Sequence, residues 1–538
     1  MTPLERSVGR RRLTGVAVLR RSRSDSWPSR HRVLTAGAAA AVIIALIPVA
    51  YLVVRTAEYS PAVLLEQLGT PRMARLASTS LALVAASTAL CLVVGTTLAV
   101  LVTRTRLPGR KALAVAAALP LAIPSYVAAF GWSSLSELVN PLGTFEGFGA
   151  AVFVISLVSY PYVYLPVCAA LLAADPAQED AARSLGLPPV SVFVRITARQ
   201  ILPATASGAL LCALYILSDF GAVSILRVDT FTRAVFTSFS LGFDRLGAVS
   251  LSSVLLALTV LVLLVEGRFR RTKTRYAKLG PGSRRPADFL NLGRFTAPVV
   301  AASWLVVAVA VGGPLAALAL WSFEGVSRPG SLAELGSAFL GSVSAAGAAA
   351  LFTTVLATPL GLMIAGSRSR IARLMERLIY LAHSLPGIVV GLSVVYLGIN
   401  LVSGLYQTQW LLTLAYGTLF LPLAVGPIVA SALLTPPQVE EAAQSLGAAP
   451  LSVFFRISLP MALPGVAAGA LMVLLTAIKE LPATLMLRPT GFETLATRLW
   501  TYTSVESYSA AAPYAALLVV LAITPTWILV ARVFKEPK

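Results

Sequence analysis

The sequence predicts an all-α polytopic membrane protein made of two tandem six-helix repeats. Three observations carry that expectation. The 538-residue chain is 57% hydrophobic and only 12% charged, about half the charged fraction of a soluble domain. Its apolar residues gather into runs of about 20, the length that crosses a bilayer as a helix. One polar-to-amphipathic stretch occurs twice, at 176–203 and 437–464, at an ungapped offset of 261 with 15 of 28 positions identical.

Twelve spans are expected. In the first half they lie near 33–54, 78–103, 112–132, 150–174, 205–225 and 248–266. In the second they lie near 296–323, 341–365, 378–399, 410–434, 465–487 and 512–533. They divide the chain into a basic tail (1–32), a first six-span half (33–267), a basic linker (268–295) and a second half (296–538). An even number of spans per half makes the two copies run the same way through the membrane. Their symmetry axis then lies along the membrane normal, and the seam between them is the natural pathway.

Charge sets the orientation. With both termini placed inside, the cytoplasmic segments and span ends hold 33 of the 43 Lys and Arg, the outer segments hold nine, and Lys479 falls within a span. This positive-inside bias, not nucleic-acid binding, accounts for the net charge of +20. The first 32 residues hold nine Arg and precede an apolar run too long for a cleaved leader. They read as a disordered cytosolic tail before a retained signal anchor. The linker's nine Lys and Arg, broken by Pro281, Gly282 and Pro286, read chiefly as a topology signal, with anionic lipid as the weaker alternative. Cys91, Cys168 and Cys212 all fall within spans and in no metal or disulfide spacing. No cofactor and no bound metal are expected.

Each copy of the repeated stretch opens with helix-start chemistry. Asp175-Pro176-Ala177-Gln178 and Thr435-Pro436-Pro437-Gln438 both place an oxygen cap before proline, with Gln three residues on. Glu179-Asp180-Ala181-Ala182 and Glu440-Glu441-Ala442-Ala443 follow, their acidic residues suiting the positive helix end. Gly186 and Gly447 stand where a left-handed turn would end the helix. A second short amphipathic helix then carries Phe193, Arg195 and Ile196, or Phe454, Arg456 and Ile457. Duplication of such a loop points to docking of the same kind of partner by both halves. An interfacial helix lying on lipid is the plainer alternative.

Ionisable groups deep in spans are costly and mark function. Asp219, Lys479 and Glu480 are the three here. Ser218 and Asp219 align with Lys479 and Glu480 at the repeat offset. The expectation is that Lys479 neutralises Asp219, Glu480 or both across the seam, beside the translocation path. Partial solvation near the outer span ends is the alternative. Pro124 and Pro386, in equivalent spans, are expected to kink helices at a gate or simply to be tolerated there. His383, one of only two histidines, reads as hydrogen-bonded to a neighbour, not as a metal ligand.

Glu441-Ala442-Ala443, Gly447 and Ile457-Ser458-Leu459-Pro460 resemble the EAA signature of the inner-membrane permeases of ATP-binding-cassette (ABC) importers. The first copy matches with Asp180-Ala181-Ala182, Gly186 and Ile196, and departs where Ala198-Arg199 replaces Leu-Pro. The resemblance covers both halves from about residue 75 onward. It implies the type I permease fold in a bacterial inner membrane and coupling loops that engage two ATPase subunits. It also implies an extracytoplasmic binding protein at outer loops such as 133–149 and 488–511. With both halves in one chain, no permease homodimer is needed. The sequence has no GxxxxGK[ST] phosphate loop, so the chain is read as a transport subunit and not an enzyme. Within the family, SDFGAVSILRVDTFTRAVFTSF from Ser218 and KELPATLMLRPTGFETLATRLW from Lys479 look like the ferric iron importers. Permeases for thiamine, polyamines or phosphonate are alternatives of the same class. An ion-coupled secondary transporter is the rival class, though it has no reason to duplicate a cytosolic docking loop. A scaffold would explain the loops but not the buried charges, and no catalytic constellation supports a membrane enzyme.

Overall fold

The computed structural model describes residues 32–139, 144–174, 176–240, 244–271, 292–323, 331–367, 369–383, 385–433 and 437–533. The expected tail, most of the linker, Asp175, Ser384 and Thr435-Pro436 lie outside the described residues, as does the side chain of His383.

In the first half, α1 (Arg32–Ala57) and α2 (Pro71–Arg104) are followed by α3 (Arg110–Ala116) and α4 (Ser125–Val139), then by α5 (Gly147–Ser159) and α6 (Pro161–Ala173). The short α7 (Pro176–Ser184) leads to α8 (Ala198–Ser218), α9 (Gly221–Ile225), α10 (Phe231–Ser240) and α11 (Arg245–Arg271). The second half repeats this order. It runs α12 (Thr296–Val307), α13 (Gly313–Phe323), α14 (Leu332–Gly366), α15 (Arg370–His383), α16 (Gly387–Asn400) and α17 (Gln409–Ala432). It continues with α18 (Pro437–Ser445), α19 (Leu459–Ile478), α20 (Pro482–Leu487), α21 (Leu495–Ser504) and α22 (Tyr508–Val533). Among the described residues nine stretches are long and apolar enough to cross a membrane, and two bent pairs, α3–α4 and α15–α16, raise the number to 11. The apolar helix Tyr508–Ile523 stands where the last span is expected.

The third and ninth expected spans, 112–132 and 378–399, are therefore not straight. The third turns by 94° between Ala122 and Ser125. Pro120 and Pro124 lack the N–H that would continue the helical ladder, and Ile123, ahead of Pro124, is extended at ψ 120°. The ninth bends before Gly387, with Pro386 at the N-cap.

Each half lends its first helix to the other. α1 packs against α14, α15, α16 and α17, and α13 packs against α4. Tyr51 lies 5.0 Å from the Tyr396 ring, and the Arg55 guanidinium sits 3.9 Å above it. The tightest bundle joins α14, α17 and α19. There α14 buries Ala338, Gly341, Ala345, Ala346, Ala349, Ala350 and Ala357. In lipid no water is expelled when helices meet, so small side chains that let backbones approach supply the packing gain. One polar detail is duplicated. Ser80 on α2 accepts from Phe231 N at 3.2 Å, and Ser342 on α14 accepts from Leu495 N at 2.8 Å. Both bonds dock the start of the short helix that follows the broken span.

Candidate functional site

The repeated stretch folds the same way twice. α7 and α18 each end in a glycine turn, with Gly186 at φ 81° and Gly447 at φ 85°. Leu187 N donates to Ala182 O at 3.2 Å and Ala448 N donates to Ala443 O at 3.1 Å, the long bond of a left-handed helix stop. A short helix (189–192 or 450–453), one π-turn (Phe193–Thr197 or Phe454–Ser458) and the long membrane helix follow without a break.

A carboxylate–hydroxyl latch, buried in the first copy and half-buried in the second, holds each short helix to its long one. Thr197 Oγ1 donates to Glu179 Oε1 at 2.9 Å, and Ser458 Oγ donates to Glu440 Oε1 at 2.7 Å. Glu179 therefore faces inward, only 5% exposed, and Ala182 is buried with it. Asp180, Ala181, Gly186, Ala442 and Gly447 face out. So do Leu185 and Leu446, at 84% and 89% exposure. The Glu441 side chain lies outside the described part. Gln178 does not reach back as a capping residue; its Oε1 accepts from Gln200 Nε2 at 2.8 Å. In the first copy Arg104, at the end of α2, adds an ion pair to Glu179 at 3.3 Å and donates to Leu171 O at 3.2 Å. Both partners are about 7% exposed in their side chains. Arg183 adds a second, more exposed cation to Glu179 at 3.7 Å, so removing Glu179 would strand the buried Arg104, whereas removing Arg104 leaves Glu179 one cationic partner.

The second constellation lies where α8 and α19 end. Asp219 Oδ1 accepts from Ala222 N at 3.0 Å and Val223 N at 3.3 Å. Glu480 accepts from Ala483 N at 2.9 Å, from Thr484 N at 3.0 Å and from Thr484 Oγ1 at 2.6 Å. The two carboxylates thus do the same job, capping the first N–H groups of α9 and α20. A broken span leaves these donors without helical partners, and an acceptor must replace water there. Tyr416 OH and Thr484 Oγ1, 2.6 Å apart, extend the network on the second side.

This arrangement corrects the expected ion pair. Lys479 Nζ donates to the Leu121 carbonyl at 3.2 Å, while Tyr126 OH donates to Lys479 O at 3.2 Å. The carboxylates are already occupied by backbone donors of their own short helices. The ammonium instead meets a carbonyl that the bend of the third span leaves free of the helical ladder. The two bonds join the halves across the seam. Pro124 and Pro386 are buried at the two bends. Directly after Pro386, a Cβ at Gly387 would stand 2.9 Å from Glu480 Oε1, so any larger residue there would have to shift the carboxylate from its cap. An aromatic cluster also crosses the seam. The Phe220 ring is 4.8 Å from Phe236 and 5.2 Å from Trp500 of the other half. Further cross-links are Tyr508 OH to Glu137 Oε1 at 2.6 Å and Arg227 to Glu506 at 3.1 Å.

The partners Thr197 and Ser458 were readable as hydroxyls at the same offset of 261. Arg104, Leu121, Tyr126 and Trp500 carry no sequence signal, because their partners come from the other half or a distant span.

Two helix–turn–helix elements repeated at one offset, each leading into a membrane helix, and two halves that meet along a seam fit a membrane permease with two equivalent halves. The chain belongs to the binding-protein-dependent transport system inner membrane component family, which matches residues 91–274 and 357–534. It is an ABC importer permease with both permease domains in one chain. It is 37% identical over 493 residues, 91% of this chain and 96% of the relative, to the Fe(3+)-transport system permease protein FbpB 2 of Haemophilus influenzae. Shorter matches include the sulfate transport system permease protein CysT of Escherichia coli, 28% identical over 43% of this chain and 89% of the relative. The molybdenum transport system permease protein ModB of Mycobacterium tuberculosis is 31% identical over 28% of this chain and 60% of the relative.

Proposed function

We propose that this chain forms the channel of a ferric iron importer, driven by two separate ATPase subunits and loaded by an extracytoplasmic binding protein. The observation that carries the coupling part is the duplicated lever. Two short helices share the same glycine turn and the same carboxylate–hydroxyl latch, at one constant offset. One ATPase subunit per lever is the stoichiometry that such a duplication serves. The cargo assignment rests on the relative whose printed function is Fe(3+) transport and which aligns along nearly its whole length. The two halves are taken as 33–267 and 296–538, with both termini and both levers on the cytoplasmic side, where the basic residues concentrate.

In this reading the levers bind through Asp180, Ala181 and Gly186, and through Glu441, Ala442 and Gly447. ATP binding draws them together. The long helices α8 and α19 carry the motion to Asp219 and Glu480 at their far ends. The seam bonds of Lys479 then break, the Phe220–Trp500 contact parts, and cargo enters from the binding protein. Hydrolysis restores the closed seam. The deciding experiment reconstitutes the chain with the ATPase and binding protein of its own operon in vesicles. ATP-dependent uptake of Fe(III), exceeding that of sulfate and molybdate, is expected. Uptake driven by an ion gradient without ATPase would overturn the class, and oxyanion uptake in place of iron would overturn the cargo.

A further inference from the structure

The helix α15 is built unlike the other membrane elements. It begins four residues after α14 ends, and it turns sharply before α16. A turn of 100° before α16 fits a helix that lies along the bilayer surface ahead of the crossing. At about 3.6 residues per turn, its sequence sorts into three rows. Ala372, Ile379 and Ala382 are buried against the protein, α1 and α17 being the neighbours. Ile371 and Leu374 are 51% and 56% exposed, and Leu378 continues their row. Arg370, Arg373 and Arg377 form the third row and are all exposed. The open apolar row lies between the protein-facing row and the arginines. Beside the arginines, a recess of about 400 Å³ is lined by Ile364, Ser367, Ala372, Arg373 and Glu376.

We propose that α15 and this recess bind the headgroup of an anionic phospholipid. The charge pattern selects this occupant. The open apolar row suits acyl chains, and arginines one position away place their guanidinium groups at phosphate depth. A cytosolic protein docking there would have to bury Ile371 and Leu374 against its own surface at bilayer level. A free anion would not need them at all. The site is separate from the levers and the seam, so it stands whatever the cargo proves to be.

Native mass spectrometry of the purified full chain, exchanged into phosphatidylglycerol or phosphatidylcholine, tests it. The wild type should retain phosphatidylglycerol preferentially. Retention should weaken about fivefold for each arginine replaced, and roughly a hundredfold in the R370Q/R373Q/R377Q triple variant. The corresponding triple Lys variant, with charge kept, should retain the lipid and so show that the helix still folds. I371S/L374S should weaken retention of both lipids. Equal retention of both lipids by the wild type would overturn the proposal. So would retention by the Gln triple, or displacement of the lipid by millimolar inorganic phosphate. Loss of the ATPase subunit from the Gln triple with lipid retention unchanged would overturn it in favour of a protein contact.

Discussion

Replacing Lys479 with Met should loosen the closed seam without unfolding the protein. The Lys479 ammonium makes one charged hydrogen bond, 3.2 Å to the Leu121 carbonyl of the other half. Bonds to charged groups contribute about 1.5–3 kcal/mol. Met also removes the cost of holding an ammonium out of water, so the net loss of overall stability is small. The loss falls almost wholly on the state in which the halves touch. About 2 kcal/mol shifts the ratio of closed to open seam by roughly thirtyfold. The Tyr126 bond to the Lys479 backbone carbonyl survives the change and keeps the helices in register. The assay is ATP hydrolysis by the reconstituted permease–ATPase complex, with and without binding protein. Basal hydrolysis should rise, and stimulation by binding protein should fall by about an order of magnitude. Lys479→Arg, which can still reach a carbonyl, should stay near wild type. Wild-type basal and stimulated rates in Lys479→Met would refute the seam-bond reasoning.

Breaking the buried pair at the first lever by Glu179→Leu should cost about 3–5 kcal/mol by stranding Arg104, and Arg104→Met should cost less, because Arg183 still pairs with Glu179 at 3.7 Å. The double variant should recover much of the loss in a detergent thermal melt, because both charges leave together. Gly447→Ala forces a Cβ into φ 85°, a cost of about 1–2 kcal/mol. It should lower ATPase copurification and uptake while leaving the membrane fold intact by circular dichroism. Trp500→Ala removes the ring that closes on Phe220 at 5.2 Å. It should raise ion leak through vesicles that hold the chain alone, and an unchanged leak would show that this cluster does not seal the seam.

What the sequence made legible follows from the range over which each force acts. The levers were readable because capping, glycine turns and helix starts are local. Gly186 and Gly447 adopt the left-handed turns that their places after Ser-Leu required. The spans were readable because lipid enforces a length of apolar residues on any crossing helix. The bends of the third and ninth spans were only half legible, since Pro124 and Pro386 mark a weak point without fixing an angle. The bonding partners of the acidic residues differ from the expected ion pair for a related reason. A charge in a span invites a search for an opposite charge, but breaking a helix in lipid creates unpaired N–H groups that compete for any carboxylate nearby. At Asp219 and Glu480 that local demand wins, and Lys479 is left to a carbonyl across the seam. The same competition separates the two levers. Glu179 and Glu440 share a hydroxyl partner because the partner lies 18 residues away in both copies. Glu179 also meets two arginines, Arg104 from the end of α2 at 3.3 Å and Arg183 one turn on at 3.7 Å. The first lever is thereby tied to a second membrane helix as well as to its own. If both receive equal pulls, the first should move α2 with it, and the stroke that opens the seam would start unequal in its two halves. Distance measurements between spin labels on α7 and α2 through the ATP cycle should then change less than those between α18 and α14.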